Sequence, residues 1–395
     1  MELCHFRVKS GIKDMFCDST FLKKLFYIAL PVTIQNLIIS ALNMIDTLMI
    51  GMVGETEIAA VGIANQYFIL FHIIIMGMMS GCGIFISQFW GKQDVKNIRR
   101  VLGIQVVFGC IASIILTMIA LLIPEKIISI FNNDPLVLKL GSDYLRIVCI
   151  SYVSTAITIS FACASRCVQN ALLPMVVTIF SLLCNAFLNY AFIFGNFGAP
   201  ALGVKGAALA TLIARIIEAL MMLGLIYFRR DVLAAKPREM LDFTLDYVKR
   251  IVGTVTTVIL NELCWGIGFI VYSVVYGRIG TQAIASVQIC SNVENLFMVI
   301  AFGMANASSV MIGNKIGEDE LKMGEIYGKR LAIISFFAGV CMGICLFLSS
   351  GWILSLFNVS DKVAMYSLKI LRITCIMLPI RMLNIVMIVG ILRGG

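Results

Sequence analysis

Gly51-Met52-Val53-Gly54-Glu55-Thr56-Glu57-Ile58-Ala59-Ala60-Val61 and Gly277-Arg278-Ile279-Gly280-Thr281-Gln282-Ala283-Ile284-Ala285-Ser286-Val287 decide the fold of this chain. The two stretches share both glycines and the Ile-Ala pair at one register, 226 residues apart. The same offset aligns Phe71 with Phe297, Gly77 with Gly303 and Gly91 with Gly317. Later it aligns Ser129 with Ser355, Phe131 with Phe357, Asn132 with Asn358, Leu145 with Leu371, Arg146 with Arg372 and Cys149 with Cys375. Apolar matches alone arise by chance in a greasy chain. Shared Gly, Asn and Arg, held without a gap, do not. A repeat of this length in an apolar sequence predicts two similar lobes with a binding site between them.

Composition places those lobes in a membrane. The chain of 395 residues is 60% hydrophobic and only 13% charged, with a mean hydropathy of +0.97. Soluble domains carry about 25% charge. Apolar runs long enough to cross a bilayer, about 20 residues each, recur throughout. Ten spans are expected, near 21–48, 57–88, 98–123, 138–164, 171–195, 203–228, 248–275, 282–313, 325–349 and 363–390. Residues 1–24 are polar and basic, and no small-residue cleavage site follows them, so the first span is not read as a cleaved signal.

The net charge of +9 is not spread evenly. Lys and Arg gather before the first span, around Lys92–Arg100, from Arg229 to Arg250 and around Lys315–Arg330. The opposite ends hold only Lys126, Lys139, Lys205, Arg278, Lys362 and Lys369. This bias puts the N-terminus in the cytoplasm. Both copies show the same asymmetry, so the repeats are parallel, six spans each. No basic patch alternates with exposed aromatics, which argues against nucleic-acid binding. The 13 cysteines include no Cys-x-x-Cys pair and read as small buried hydrophobes. With only His5 and His72 present, a histidine-built metal or nucleophile site is excluded, and the chain is not expected to be an enzyme.

The fold expected is therefore an all-α polytopic membrane protein of two parallel six-helix repeats. Residues 1–20 form a cytoplasmic segment, 21–228 the first lobe, 229–247 a solvated cytoplasmic linker, and 248–395 a second lobe of four helices. Measured against the first copy, the second lacks its last two helices, about 60 residues.

Several polar residues fall inside these spans. Asp46 follows twenty residues, Phe26 to Ile45, that contain no charge. A carboxylate at that depth must face a polar cavity, be protonated or hold a cation. Asn185 and Asn189 sit four apart on one helix face, and their amide oxygens suit Na⁺ or a protonated Asp, or else tie neighbouring helices together. Thr211 offers a hydroxyl within a run of small residues. Arg215 and Glu218, three apart, are expected to neutralise each other. In the second copy Tyr272 stands where Asp46 stands in the first, and the acids are Glu262 and Glu294. Arg381 is expected to pair with one of them or to attract an anionic substrate group. Gln35, Tyr272, Arg381 and Asn384 are candidates for a substrate cavity.

The chain resembles the MATE (multidrug and toxic compound extrusion) transporters. The resemblance rests on Leu30-Pro31, on Ile45-Asp46-Thr47-Leu48-Met49-Ile50-Gly51-Met52-Val53-Gly54, and on Asn185 and Asn189-Tyr190 followed by Phe194-Gly195. Gly206-Ala207-Ala208-Leu209-Ala210-Thr211 and the closing Gly390-Ile391-Leu392-Arg393-Gly394-Gly395 extend it over essentially the whole length. It implies twelve helices in two lobes and cation-driven export of amphipathic, often cationic compounds from the cell, by a monomer in the plasma membrane. The family's cation site maps onto Asp46, Asn185 and Thr211, and Asn189 falls where many members carry a second Asp. The coupling ion is then Na⁺ or H⁺, with no other cofactor. Glu262 matches an acid implicated in some members. An acid that others hold in the tenth helix is absent here, where Arg381, Met382 and Asn384 lie. The alternatives are a flippase for lipid-linked oligosaccharides or lipid precursors, of the same superfamily, and a truncated remnant without transport.

Overall fold

The computed structural model describes residues 19–279, 281–355 and 361–394. The N-terminal segment up to residue 18, Gly280, and the repeat partners Phe357 and Asn358 lie outside the described residues. Every regular element among those described is helical: α1 (Ser19–Gly51), α2 (Glu55–Gly91), α3 (Val95–Leu122), α4 (Pro124–Ser129), α5 (Pro135–Val148), α6 (Ser151–Cys167), α7 (Leu172–Phe194) and α8 (Val204–Phe228). After the short α9 (Pro237–Met240) come α10 (Leu245–Ile279), α11 (Thr281–Gly317), α12 (Leu321–Ser355), α13 (Asp361–Ile385), a π-helical turn (Val386–Ile391) and α14 (Leu392–Gly394).

Nine of the described helices are long and apolar enough to cross a membrane, and ten spans result when α5 and α6 count as one. That pair, expected as one span over 138–164, bends by 50°. The bend falls at Cys149 and Ile150. Elsewhere the spans lie where the apolar runs put them, and the repeat is visible in their starts. Shifting Glu55, Val95 and Pro135 by 226 residues gives the first residues of α11, α12 and α13. The helix starts follow local chemistry. Asp94 accepts from the Asn97 amide at 3.1 Å, and Asp134 accepts from the Leu136 amide at 2.8 Å with Pro135 at the first helical position.

Packing sorts the helices into two units: the described part of Met1–Thr33 with Gln282–Gly395, and Ile34–Thr281. α1 contributes to both, and its Pro31, which removes one helical hydrogen bond, lies just before the division. The packing units are cut at different places from the sequence copies. α10, which opens the second copy, lies along α2 in the unit Ile34–Thr281. Gly81 permits this, because a Cβ there would stand 2.9 Å from the Val255 Cα.

Within the unit Ile34–Thr281, stacked rings of Phe71 and Tyr152, 4.5 Å between centroids, join α2 to α6. The thiols of Cys163 and Cys167 donate to the carbonyls of Met79 and Gly83 at 3.3 and 3.4 Å. In the unit holding Gln282–Gly395, α12 and α13 run close together where Gly343 faces the Cys375 carbonyl. The Phe21 ring meets Tyr327 edge-on at 4.9 Å, and the Arg330 guanidinium lies 5.5 Å over it.

The segment after α8, read from sequence as a solvated linker, is instead docked on the end of α3. Leu233 and Ala235 are fully buried, and the Tyr227 hydroxyl donates to the Ala235 carbonyl at 2.5 Å. Arg99 donates to the Val232 carbonyl and to both Glu239 oxygens, each at 3.1 Å, while Arg100 reaches Asp242 at 2.7 Å. Exposed ion pairs contribute about 0–1 kcal/mol each, whereas burying a leucine contributes about 1.5–3 kcal/mol. Apolar packing therefore holds the segment, and the ion pairs set its register. The Met240 carbonyl sits on Gly103 so closely that no Cβ fits there.

Two outcomes follow for this docked segment. Gly103→Ala drives a methyl group into the Met240 backbone, an overpacking cost of about 1–3 kcal/mol. Thermal unfolding in detergent is expected to drop by several degrees, and tryptic cleavage between 229 and 243 to accelerate. Gly253→Ala, where a Cβ meets nothing within 4 Å, serves as the neutral control. The second outcome concerns pH. The Lys236 backbone amide, with the Arg99 guanidinium beside it, holds the Glu239 carboxyl below its usual range, and a hydrogen bond from Arg100 does the same for Asp242. Depressed carboxylates stabilise the docked form fully above their unfolded values, about 4, and lose that contribution as pH falls through the folded ones. Hydrogen exchange of 232–243, corrected for intrinsic rates, is expected to show equal protection at pH 7 and 5 and reduced protection at pH 3.

Candidate functional site

α7 and α8 form an antiparallel hairpin whose geometry starts in its turn. Gly195 takes a left-handed conformation, φ 75°, that ends α7. The Leu202 amide then donates back to the Phe192 carbonyl at 2.9 Å. Gly206 lies against the Phe192 backbone with no space for a side chain, and Ala207, Ala208 and Ala210 continue the small-residue run. The two helices consequently meet along polar stripes. Thr178, Ser181, Asn185 and Asn189 recur at intervals of three and four on α7, and Thr211, Arg215 and Glu218 do so on α8. The Ser181 hydroxyl donates to the Ala214 carbonyl at 2.9 Å across the seam.

The second half of α1 brings Asp46 to this seam. Asn189 Nδ2 donates to Asp46 Oδ1 at 2.8 Å and lies 3.3 Å from Asn185 Oδ1. Asn189 is only 2% exposed, and its own Oδ1 is buried without a hydrogen-bond partner. Around these groups lies a cavity of about 410 Å³. Asp46, Asn185, Asn189 and Thr211 all line it, so the four residues singled out as a cation site share one cavity. Asn43, Asn65, Tyr144 and Ser151 add further polar groups. These four carry no spacing signal in the sequence and become visible only once α1, α2, α5, α6, α7 and α8 converge.

Arg215 also lines the cavity. It pairs with Glu218 at 2.8 Å, the neutralisation expected from their spacing. Glu218 accepts in addition from Thr178 Oγ1 at 3.1 Å, and Thr178 accepts from Gln35 Nε2 at 3.0 Å. Gln35, named as a substrate-cavity candidate, is thus buried in a hydrogen-bond chain behind the cavity wall.

The remaining candidates lie elsewhere. Glu262 is half-buried on α10, where its Cγ faces Gly77 of α2. Tyr272 is exposed on the same helix and stacks on Tyr276 at 6.4 Å. Glu294 of α11 and Arg381 of α13 belong to the other unit and form an ion pair with each other. Asn384, one turn beyond Arg381, is exposed.

Comparisons agree with this architecture. The MatE family profile matches residues 31–191 and 257–394. A probable multidrug resistance protein NorM of Thermotoga maritima is 27% identical over 82% of this chain and 70% of its own length. A NorM homologue of Rhizobium meliloti is 29% identical over 81% of this chain and 68% of its own. The uncharacterized transporter YisQ of Bacillus subtilis is 21% identical over 97% and 86%. Among solved structures, a MATE protein in a bent conformation superposes with a TM-score of 0.84 at 20% identity, covering 95% of this chain and 83% of that one. A MOP superfamily transporter from Pyrococcus furiosus gives 0.83 at 19% identity, covering 94% and 83%. This chain belongs to the MatE family of membrane transporters.

The seam between α7 and α8 makes its own prediction. Gly206→Val pushes α8 away from the Phe192 backbone and separates Thr211 and Arg215 from Asn185 and Asn189. The expected loss is about 1–3 kcal/mol, read as an earlier unfolding midpoint in detergent. Gly224→Ala on the same helix, where the added Cβ meets nothing within 4 Å, is expected to change nothing.

Proposed function

We propose that this chain exports amphipathic, often cationic organic compounds across the cell membrane in exchange for an inward-moving Na⁺ or H⁺, which binds at Asp46. The observation that carries the reading is the Asp46 carboxylate, held by Asn189 in a cavity that Asn185 and Thr211 also line. A carboxylate inside a membrane span is costly unless it is solvated by protein groups or loaded. Oxygens from a carboxylate, an amide and a hydroxyl are hard donors, suited to a small monovalent cation. A protonated Asp46 has equally suitable acceptors in the two asparagines. Relatives named as multidrug resistance proteins support export of diverse organic compounds.

Coupling requires that the loaded and unloaded forms of Asp46 favour different conformations, because only differential affinity moves an equilibrium. The scale is bounded: a tenfold gradient of one monovalent ion supplies about 1.4 kcal/mol. One ion per cycle therefore sustains, in electroneutral exchange, at most a tenfold substrate gradient for each tenfold ion gradient. Neutralising Asp46 on loading also removes the main charge that disfavours a rearrangement of α1 within the bilayer. The N-terminus and the segment carrying Arg99, Arg100 and Glu239 face the cytoplasm in this scheme, following the basic bias of that side. The flippase alternative needs a free cation for an anionic lipid headgroup, and Arg381, expected to attract an anionic substrate group or to pair with an acid, is engaged by Glu294.

The test is export of ethidium from proteoliposomes under an imposed Na⁺ or proton gradient. The intact chain is expected to accelerate export under one of the two gradients, and Asp46→Asn to reduce gradient-driven export to the leak rate while the protein remains inserted and monodisperse. Undiminished export by Asp46→Asn would overturn the assignment.

A further inference from the structure

The coupling scheme uses one of the two formal charges in the wall of the Asp46 cavity. The other is Arg215, and among the residues lining that cavity Asp46 and Arg215 are the two charged ones. Arg215 is held in place from behind. Its Nη1 donates to Glu218 Oε2 at 2.8 Å, the other Glu218 oxygen accepts from Thr178 at 3.1 Å, and Thr178 accepts from Gln35 at 3.0 Å. This chain of contacts ties α8 to α7 and α1. Glu218 is 3% exposed and does not reach the cavity wall. The pair is therefore an oriented dipole, with its positive end at the cavity and its negative end behind.

An oriented pair of this kind is not electrically silent. The nearer charge acts more strongly than the farther one, and in a low-dielectric surround the difference is not screened away. The net effect on a monovalent cation entering beside Asp46 is repulsive. With Asn189 neutral, Asp46 alone attracts the ion, and Arg215 opposes it.

We propose that Arg215 is a resident cation of the Asp46 cavity that sets how weakly this site holds its coupling ion, with Glu218, Thr178 and Gln35 as the scaffold that positions it. The inference rests on the coupling role proposed for Asp46. Its functional logic is release. A transport site must bind its ion well enough to load and weakly enough to unload, and a lone carboxylate among amides and hydroxyls in a low-dielectric cavity is prone to hold its ion too long.

The experiment measures ²²Na⁺ binding to the purified full chain in nanodiscs at fixed pH, with Na⁺ itself as the probe. Arg215→Met combined with Glu218→Gln removes both members of the pair and leaves no buried charge unpartnered. Na⁺ affinity is expected to rise about tenfold. Arg215→Lys, which keeps the positive charge, is expected to stay within about twofold of the unmodified chain. Should the double variant not insert, Arg215→Gln, which retains a donor for Glu218 and leaves its negative charge in place, is expected to show at least that rise. Affinity unchanged in the charge-removing variants, or no Na⁺ binding in any of them, overturns the proposal. Adding Asp46→Asn to the tightened variant separates the two readings. If tight binding persists without Asp46, the ion is not held where the coupling scheme puts it. If tight binding is lost, the rise belongs to the Asp46 cavity.

Discussion

A carboxylate inside a membrane span must be solvated by the protein, and the groups that converge around Asp46 meet that requirement. The first solvating group is the Asn189 amide, 2.8 Å away. That amide lies on α7, which packs tightly against α8 because Gly206 has no side chain to hold it off the Phe192 backbone. A hydrogen bond to a charged group contributes roughly 1.5–3 kcal/mol. That is enough to matter and too little to carry the cost of burial alone, so the cavity also supplies Asn185, Thr211 and Asn65. The guanidinium of Arg215 enters the same balance with a full charge, and its partner Glu218 needs two further hydrogen-bonding residues to be tolerated at 3% exposure.

The two copies of the repeat show how a scaffold is retained while its chemistry diverges. The helix starts of the first copy recur in the second at the constant offset, from Glu55 and Thr281 through Val95 and Leu321 to Pro135 and Asp361. The third segment then differs. In the first copy it breaks by 50° between α5 and α6, and in the second it continues as one helix into a π-helical turn. The bend places Tyr144 and Ser151, on either side of the break, in the wall of the Asp46 cavity. The second copy has Tyr272 at the position of Asp46, and its charged pair, Glu294 with Arg381, bridges α11 and α13.

Much of the fold was legible because bilayers punish exceptions. An unpaired backbone group in hydrocarbon costs several kcal/mol, so apolar runs of sufficient length become helices, and their ends fall where Asp94 or Pro135 starts a helix or Gly195 halts one. The site was partly legible for the same reason. Asp46, Asn185 and Asn189 stand out against apolar surroundings, and Arg215 and Glu218 betray their pairing by a spacing of three. The role of 229–247 was not legible. Its charges and Pro237 read as a solvated linker, yet Leu233 and Met240, packed with residues of α3 far away in sequence, decide its position.

The sequence by itself determined the number and order of the spans, the repeat and its register, and which residues carry charge into the membrane, because each follows from periodicity, length and the cost of burial. Only the tertiary structure decided which of those polar groups meet. It put Arg215 in the wall with Asp46 and Glu218 behind it, turned Gln35 into part of that scaffold, and recruited Tyr144, Asn43 and Asn65, none of which has a distinctive neighbour along the chain. The physical reason is distance. Polar contacts act over about 3 Å, and whether two helices bring their stripes that close depends on side chains as small as the missing one at Gly206.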